Sequence, residues 1–192
     1  MKTIAAISTP MGQGGIGIVR MSGDKVIEIM NKVFRPKTEG EWKSYTFRFG
    51  HIVGAQGEIL DQALVSYFKA PKTYTGEDVC EINCHGGLIV TKQILELLLQ
   101  NGAELAKPGE FTERAFLNGK MDLTQAEAVM DLIHSKSTKE NAVSLKQLEG
   151  RLGEKIKEIK TDKIMKDLND GNIVIVAGFQ GVDKDKDRKS VV

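Results

Sequence analysis

Residues 73–87, TYTGEDVCEINCHGG, contain the pattern that decides the fold, together with the most promising group of polar side chains. Side chains of an extended segment point alternately to opposite faces, so Glu81, Asn83 and His85 share one face and the apolar residues between them share the other. Two glycines then turn the chain into an apolar helical segment, whose N-terminal N–H groups favour an anion. We therefore predict a half-buried strand whose polar face either lines a ligand pocket or is merely solvated.

Both cysteines of the chain, Cys80 and Cys84, fall on the apolar side of this strand. Their alpha carbons would lie roughly 13 Å apart in an extended chain, whereas a disulfide requires less than about 7 Å. On a helix the same spacing would suit a metal site with His85, and only His51 and His134 could add further imidazole ligands. We expect two core cysteines rather than metal ligands.

The composition is that of an ordinary globular protein. The chain has 192 residues, of which 41% are hydrophobic and 28% are charged, enough for one domain of typical size and a smaller piece. A net charge of +1 gives no strongly basic footprint, so an RNA contact would require a local patch or a partner protein. The start lacks a positively charged leader, and no 18 consecutive residues are apolar. We expect a cytosolic protein with no membrane partner.

The first 120 residues alternate between strand-like and helix-like segments, with glycines between them. This alternation predicts an α+β domain. Its strands are expected at residues 3–8, 16–21, 46–52 and 60–68 besides the strand quoted above, and its helices at residues 24–33, 88–99 and 110–118.

Beyond the Asn118-Gly119 turn the pattern is wholly helical. Two capping boxes, Thr124 with Glu127 and Ser137 with Glu140, predict two helix starts. An apolar stripe follows, which suits packing against a neighbouring helix or a second copy, or belongs to an ordinary amphipathic surface helix. The stripe consists of Leu145, Leu148, Leu152, Ile156 and Ile159.

The last thirty or so residues differ in kind from the rest. Residues 172–181, NIVIVAGFQG, are typical of a buried strand and glycine turn, but no neighbouring segment could complete a parallel sheet around them. Residues 183–192, DKDKDRKSVV, form a charge run that we expect to be solvated and mobile.

A glycine-rich segment near the N-terminus formally matches G-x-G-x-x-G at Gly12, Gly14 and Gly17. The segment that follows, IGIVRMSG, is rich in β-branched residues and ends in Gly23, so it does not open the long helix that a dinucleotide site requires. We predict instead a β-turn that permits a close approach of the backbone, with Arg20 on the next strand.

Several common catalytic motifs are absent from the sequence. No G-x-x-x-x-G-K-[ST] occurs, so these residues alone cannot form a phosphate loop. There is also no G-x-S-x-G, H-E-x-x-H or C-x-x-C, which excludes the common hydrolase and metal sites. The residues leave an α+β ligand-binding domain with five polar candidates, namely Arg20, Glu81, His85, Arg114 and Lys120.

Three blocks of the sequence resemble the signature segments of the N-terminal domain of the tRNA modification GTPase family MnmE, also called TrmE. They are residues 3–23, TIAAISTPMGQGGIGIVRMSG, residues 73–87, quoted above, and residues 107–133, KPGEFTERAFLNGKMDLTQAEAVMDLI. The resemblance extends from about residue 3 to about residue 160. The GTPase domain, the rest of the helical domain and the C-terminal cysteine motif of the family are not matched.

The resemblance implies a fold and a domain organisation. Residues 1–120 are expected to form a folate-binding, dimerising domain, a mixed sheet with flanking helices similar to the folate domain of aminomethyltransferases. Residues 121–160 would be the first helices of the family's helical domain. Residues 161–192 resemble an internal segment of aspartate kinases, and the final DRKSVV matches the translation of a common sequencing adapter. They are expected to be a foreign, poorly packed tail.

The resemblance also implies a function. Full-length relatives, with a flavin-dependent MnmG-type partner, install an aminomethyl or carboxymethylaminomethyl group on the wobble uridine of tRNA. A 5-formyl- or 5,10-methylene-tetrahydrofolate carries the one-carbon unit, and GTP, K⁺ and Mg²⁺ serve only the full-length family. The family's folate contacts fall on Arg20, Glu81 and Lys120. A carboxylate can accept the adjacent N–H donors of a pterin, and the two cations suit the glutamate tail or the one-carbon oxygen.

The leading interpretation is therefore the folate-binding, homodimeric N-terminal module of a tRNA-modifying GTPase, truncated before its catalytic parts and inactive alone. The alternatives are a dimerisation scaffold without ligand, a non-functional chimeric gene product, and an amino-acid kinase fragment, which rests only on the tail.

Overall fold

A computed structural model describes residues 2–150, 180–182 and 188–190 of the chain. The chain divides into two compact units, Met1–Met121 and Asp122–Val192.

The first unit contains strands and helices in alternation. Its strands are β1 (Ile4–Ile7), β2 (Gly17–Ser22), β3 (Phe34–Pro36), β4 (Thr46–Val53), β5 (Ile59–Phe68), β6 (Val79–Cys84) and β7 (Glu104–Leu105), and its helices are α1 (Val26–Val33), α2 (Leu88–Gln100) and α3 (Glu110–Leu117).

These strands form one sheet, with the order β3-β4-β5-β6-β2-β1-β7. The pair β1 and β7 is parallel, and the other neighbouring pairs are antiparallel. The predicted α+β fold with a mixed sheet is thus confirmed. The sequence did not predict β3 or β7, because β3 follows α1 without a turn signal and β7 is only two residues long.

One face of the sheet, the covered face, packs against α1 and α2. Alternate residues of the central strands supply Val19, Met21, Val65 and Ile82 to this core. Helix α1 buries positions spaced three and four apart, as does α2, which is the periodicity of a helix with one apolar side. The opposite side of the sheet, the open face, carries the polar residues that the sequence singled out.

The cysteines confirm the predicted alternation of β6. Cys80, Ile82 and Cys84 are buried in the core, and both cysteines are free thiols. Burial raises the pKa of Cys84 to about 11 and that of Cys80 further still. Both thiols therefore stay protonated at neutral pH and act as small apolar side chains.

The described part of the second unit contains helix α4 (Leu123–His134) and helix α5 (Thr138–Leu148). Ser137 caps α5 as predicted, since its hydroxyl accepts from the backbone N–H of Glu140. The predicted box of Thr124 with Glu127 is wrong. Asp122 is the N-cap of α4, and it forms a reciprocal capping box with Gln125.

Two further sequence predictions lie largely outside the described residues. Of the apolar stripe, only Leu145 and Leu148 fall within them. The strand predicted at residues 172–181 falls within them only at its last two positions. These belong to β8 (Gln180–Val182), which pairs antiparallel with β9 (Arg188–Ser190).

A buried ion network joins α3 to the loop between β5 and β6, residues 69–78, called here the β5–β6 loop. The Arg114 guanidinium donates to Glu77 at 3.0 and 3.2 Å, to Glu110 at 2.9 Å and to the Lys2 carbonyl at 2.8 Å. The Ser22 hydroxyl donates to Glu77 at 2.7 Å. Burial opposes the charge of Arg114, but its bonds to the two carboxylates outweigh this and raise the pKa of the guanidinium.

The lack of space around Gly50 in β4 yields a test of the packing between β3 and β4. A Cβ added to Gly50 would lie 2.4 Å from the Arg35 carbonyl oxygen and 2.7 Å from the Phe34 ring. We expect Gly50→Ala to lower the free energy of unfolding by about 1–3 kcal/mol. Urea unfolding followed by the fluorescence of Trp42, the single tryptophan, measures it. The control is Gly15→Ala, whose Cβ would meet nothing within 4 Å. Equal midpoints for both variants would contradict the packing argument.

The Arg114 network predicts a large stability loss on removal of the cation. Arg114→Met leaves two carboxylates, with only 14% and 17% of their side chains exposed, without their shared partner. We expect a cost of about 3–5 kcal/mol in the same urea titration, because breaking a buried pair strands its charges. The matched control is Lys32→Met, which removes an exposed pair with Glu28 and should leave the midpoint unchanged. A similar small effect of Arg114→Met would show that the network contributes little.

Candidate ligand-binding site

The centre of the candidate site is an ion pair between Arg20 of β2 and Glu81 of β6. The two residues are direct cross-strand partners in the antiparallel register. Nε and Nη2 of Arg20 donate to the same oxygen, Oε1 of Glu81, at 2.8 and 2.7 Å. The side chains are 30% and 23% exposed, so the pair is accessible from the open face.

Some hydrogen-bonding groups of this ion pair are not used within the part of the protein that the structure describes. Within the described residues, no hydrogen bond reaches Oε2 of Glu81, and Nη1 of Arg20 donates to no protein acceptor. A free carboxylate oxygen therefore lies beside free guanidinium N–H groups. Such a pair is complementary to a ligand edge that carries N–H donors next to a carbonyl or carboxylate oxygen.

Two aromatic rings flank the Arg20 guanidinium. The Arg20 Cζ lies 5.9 Å from the ring centroid of Tyr74 and 5.6 Å from that of Phe111. Tyr74 belongs to the β5–β6 loop and Phe111 to α3, and the Tyr74 hydroxyl lies 2.9 Å from the Thr112 hydroxyl. The loop and the helix thus meet around the arginine.

Lys120, the third predicted ligand residue, follows α3 and is exposed. Its ammonium donates to the Pro71 carbonyl at 3.0 Å, and its side chain lies against Gly76. The structure therefore brings Arg20 and Glu81 into direct contact and attaches Lys120 to the loop that carries Tyr74. One N–H of the ammonium is engaged, which leaves two for a ligand.

Asn83 and His85, the other polar residues of the predicted strand, are held by local bonds. The Asn83 amide donates to the Leu64 carbonyl at 3.2 Å. His85 lies just past the end of β6, with its side chain 72% exposed. Asp61 accepts from the His85 backbone N–H at 2.8 Å and lies 2.6 Å from Nδ1 of the ring. No sequence pattern indicated Asp61, because this residue lies outside the three blocks.

Arg114, also a sequence candidate, is a structural residue. Its side chain is only 8% exposed and belongs to the network with Glu77 and Glu110. The network nonetheless adjoins the site, because Phe111, Thr112 and Arg114 share helix α3.

The open face changes from polar to apolar away from the ion pair. The strand registers place Glu81 beside Ser66, and Ser66 beside Phe47. Phe47 is exposed, as are Phe49 and Leu64 in the next row. An apolar patch of exposed side chains, Phe47, Phe49 and Leu64, thus lies one to two strands from the candidate site.

The glycine-rich segment forms a separate cavity of about 270 Å³ near the start of α2. Gly14 donates its N–H to the Gly86 carbonyl at 3.3 Å, and a Cβ on Gly17 would lie 2.5 Å from the Thr91 side chain. As predicted, Gly17 begins a strand rather than a helix, and the backbone passes close to its neighbours. Arg20, Glu81 and Lys120 do not line this cavity.

Residues 2–150 and the short β8–β9 pair hold neither a candidate metal site nor a candidate membrane-spanning helix. These residues contain no group of three or more His, Cys, Asp or Glu side chains arranged to hold a metal ion. None of the helices described is long and apolar enough to cross a membrane.

Comparison with known proteins identifies the family. The family model described as "GTP-binding protein TrmE N-terminus" matches residues 3–120. The tRNA modification GTPase MnmE of Thermoanaerobacter pseudethanolicus is 58% identical over 167 residues, 85% of this chain and 36% of that protein. The MnmE of Acetivibrio thermocellus is 54% identical over 164 residues, 84% of this chain and 36% of that protein.

A third relative gives the same result: the MnmE of Lactobacillus delbrueckii is 53% identical over 161 residues, 83% of this chain and 35% of that protein. The chain thus spans about a third of the length of the curated relatives it matches. Since the family model covers more than half of the 192 residues, the chain belongs to the TrmE family, whose relatives are named tRNA modification GTPase MnmE.

Proposed function

We propose that the unit Met1–Met121 binds a reduced folate, 5-formyl- or 5,10-methylene-tetrahydrofolate, as the N-terminal module of a tRNA modification GTPase. The observation that carries the proposal is the Arg20–Glu81 pair, which presents a free acceptor and free donors on the open face. The pair lies within the part of the chain that matches the family model.

The hydrogen-bonding pattern of a pterin fits this pair. The ring carries adjacent N–H donors, which Oε2 of Glu81 can accept, and an oxo group, which the free N–H groups of Arg20 can reach. Lys120 offers two unengaged N–H donors to the carboxylates of the glutamate tail or to the one-carbon oxygen.

The wider activity belongs to the full-length relatives, and for this member of the family it is part of the proposal. We infer modification of the wobble uridine of tRNA, with an aminomethyl or carboxymethylaminomethyl group as product and a flavin-dependent MnmG-type protein as partner. GTP, K⁺ and Mg²⁺ would serve the parts of the relatives that this chain does not match. A cytoplasmic location fits a tRNA substrate.

A homodimer and a division into domains are also part of the proposal. Residues 1–120 would dimerise and bind folate, and the exposed Phe47, Phe49 and Leu64 offer apolar surface to a second copy. Residues 121–160 would begin a longer helical domain, and residues 161–192 would be a foreign tail. The competing function is a dimerisation scaffold without a ligand. The ion pair itself is an argument for this alternative, because Arg20 already has a partner in Oε1 of Glu81.

The folate proposal predicts that removing the charge of Glu81 weakens binding. In Glu81→Gln the side chain keeps its shape, but a neutral amide replaces the carboxylate. One acceptor oxygen is lost, and so is the negative charge that pairs with Arg20. We expect the affinity for 5-formyltetrahydrofolate to fall roughly ten- to a hundredfold, as for the loss of a charge-assisted hydrogen bond at a partly buried site. Isothermal titration calorimetry on the whole chain measures it.

The matched control for this titration is Glu28→Gln, which changes an exposed carboxylate on α1, the helix that packs on the covered face. Its affinity should equal that of the wild type. Equal affinities of wild type and Glu81→Gln would refute the site, and no binding by the wild type would favour the scaffold.

The sequence further predicts that this chain does not bind GTP by itself. A phosphate loop needs a glycine-rich turn followed by lysine and a hydroxyl residue, and no such segment occurs. Titration with a fluorescent GTP analogue should show no saturable signal, whereas the same preparation should bind the folate. Saturable binding that unlabelled GTP displaces would overturn this prediction.

A further inference from the structure

We propose that Tyr74 and Phe111 are positioning residues that hold the Arg20 guanidinium in its ligand-binding orientation. The ligand in this proposal is the reduced folate, so this part rests on the proposed function. The orientation of Arg20 itself is a property of the free protein and is tested separately below.

The first step of the argument is that Glu81 alone does not fix Arg20. Both donating nitrogens of Arg20 meet one oxygen, Oε1, whereas a two-oxygen fork would set the plane of the guanidinium. The arginine side chain is long, has many rotamers and is 30% exposed here. A second constraint is therefore needed to keep its free N–H groups in a constant direction.

The two rings supply that constraint. Their centroids lie 5.9 and 5.6 Å from the Arg20 Cζ, within the range of about 6 Å in which a cation is attracted to a ring. Tyr74 reaches Arg20 from the β5–β6 loop and Phe111 from α3, so movement of either element would change the contact.

Hydrogen bonds hold the segments that carry both rings in place. The Tyr74 hydroxyl is bonded to Thr112, one residue from Phe111, which links the two rings to each other. The loop is closed on itself by Asp78, which accepts from the Ala70 N–H at 2.8 Å. The Asn118 amide donates to the Thr75 carbonyl at 2.7 Å, and the Arg114 network holds the same loop to α3.

Ordinary packing does not account for these rings. Tyr74 is 40% exposed, and neither Tyr74 nor Phe111 belongs to the buried core of the unit. An aromatic ring usually stabilises a protein through the apolar area that it buries. A partly exposed ring beside a cation therefore stabilises the protein chiefly through its attraction to that cation.

The first experiment is a double-mutant cycle in the full chain, with 5-formyltetrahydrofolate as the probe. We expect Tyr74→Leu and Phe111→Leu each to weaken binding about three- to tenfold. The same substitutions in an Arg20→Ala background should change the affinity less than twofold, because the rings act through Arg20. Tyr74→Phe, which keeps the ring, should restore most of the affinity. Additive losses would overturn the proposal.

The matched control in this cycle is Phe116→Leu. Phe116 lies on the same helix, is 40% exposed like Tyr74, and makes no ring contact with Arg20. The Trp42 unfolding midpoint of every variant should stay near that of the wild type. A loss of affinity in Phe116→Leu as large as in Phe111→Leu would show a general effect on α3 and would contradict the proposal.

The second experiment needs no ligand. The ¹⁵Nε–H signal of Arg20, assigned with Arg20→Lys, is expected to show restricted motion and slow exchange in the free wild type. Phe111→Leu should make it mobile and fast-exchanging, whereas Phe116→Leu should not. If the wild type binds no folate, the proposed function fails while this signal still decides the positioning role. An Arg20 signal that is unchanged in Phe111→Leu and Tyr74→Leu would refute it.

Discussion

The buried Arg114 guanidinium is the interaction on which the geometry around the candidate site depends. It joins Glu110 within α3, Glu77 in the β5–β6 loop and the carbonyl of Lys2 before β1. Desolvation makes an unpaired cation there very costly, so the three segments must come together for the unit to fold. Their arrangement in turn places Phe111, Tyr74 and Lys120 around the open face.

The sheet supplies the other half of the site. The antiparallel register of β2 and β6 sets Arg20 directly opposite Glu81, and the strand period keeps both side chains away from the core. The covered face buries Val19, Met21 and Ile82 against two helices, so the register cannot slip by one residue without exposing this core. Stability of the covered face thus fixes the chemistry of the open one.

Sequence patterns predicted the parts of this architecture that depend on local periodicity. The alternation around Cys80 and Glu81 predicted both the core and the polar face correctly. The cap of α4 was misjudged because Asp122 and Thr124 are both good capping residues, and only the backbone conformation selects between them. Tyr74 and Phe111 are 37 positions apart and meet only through tertiary structure, so no spacing in the sequence could indicate their contact with Arg20.

The two arginines of this unit show why residue type alone does not reveal a binding site. Arg114 meets two carboxylates and a carbonyl, is 8% exposed and has its charge matched inside the protein. Arg20 meets a single carboxylate oxygen, is 30% exposed and keeps donors free beside a free acceptor. Both occur in segments that resemble the same family and both are among the five polar candidates, although the resemblance assigns only Arg20 to the folate contacts. The count of satisfied and unsatisfied hydrogen-bonding groups separates them, since a saturated pair can only hold the fold together whereas an unsaturated, preoriented pair can also bind a ligand.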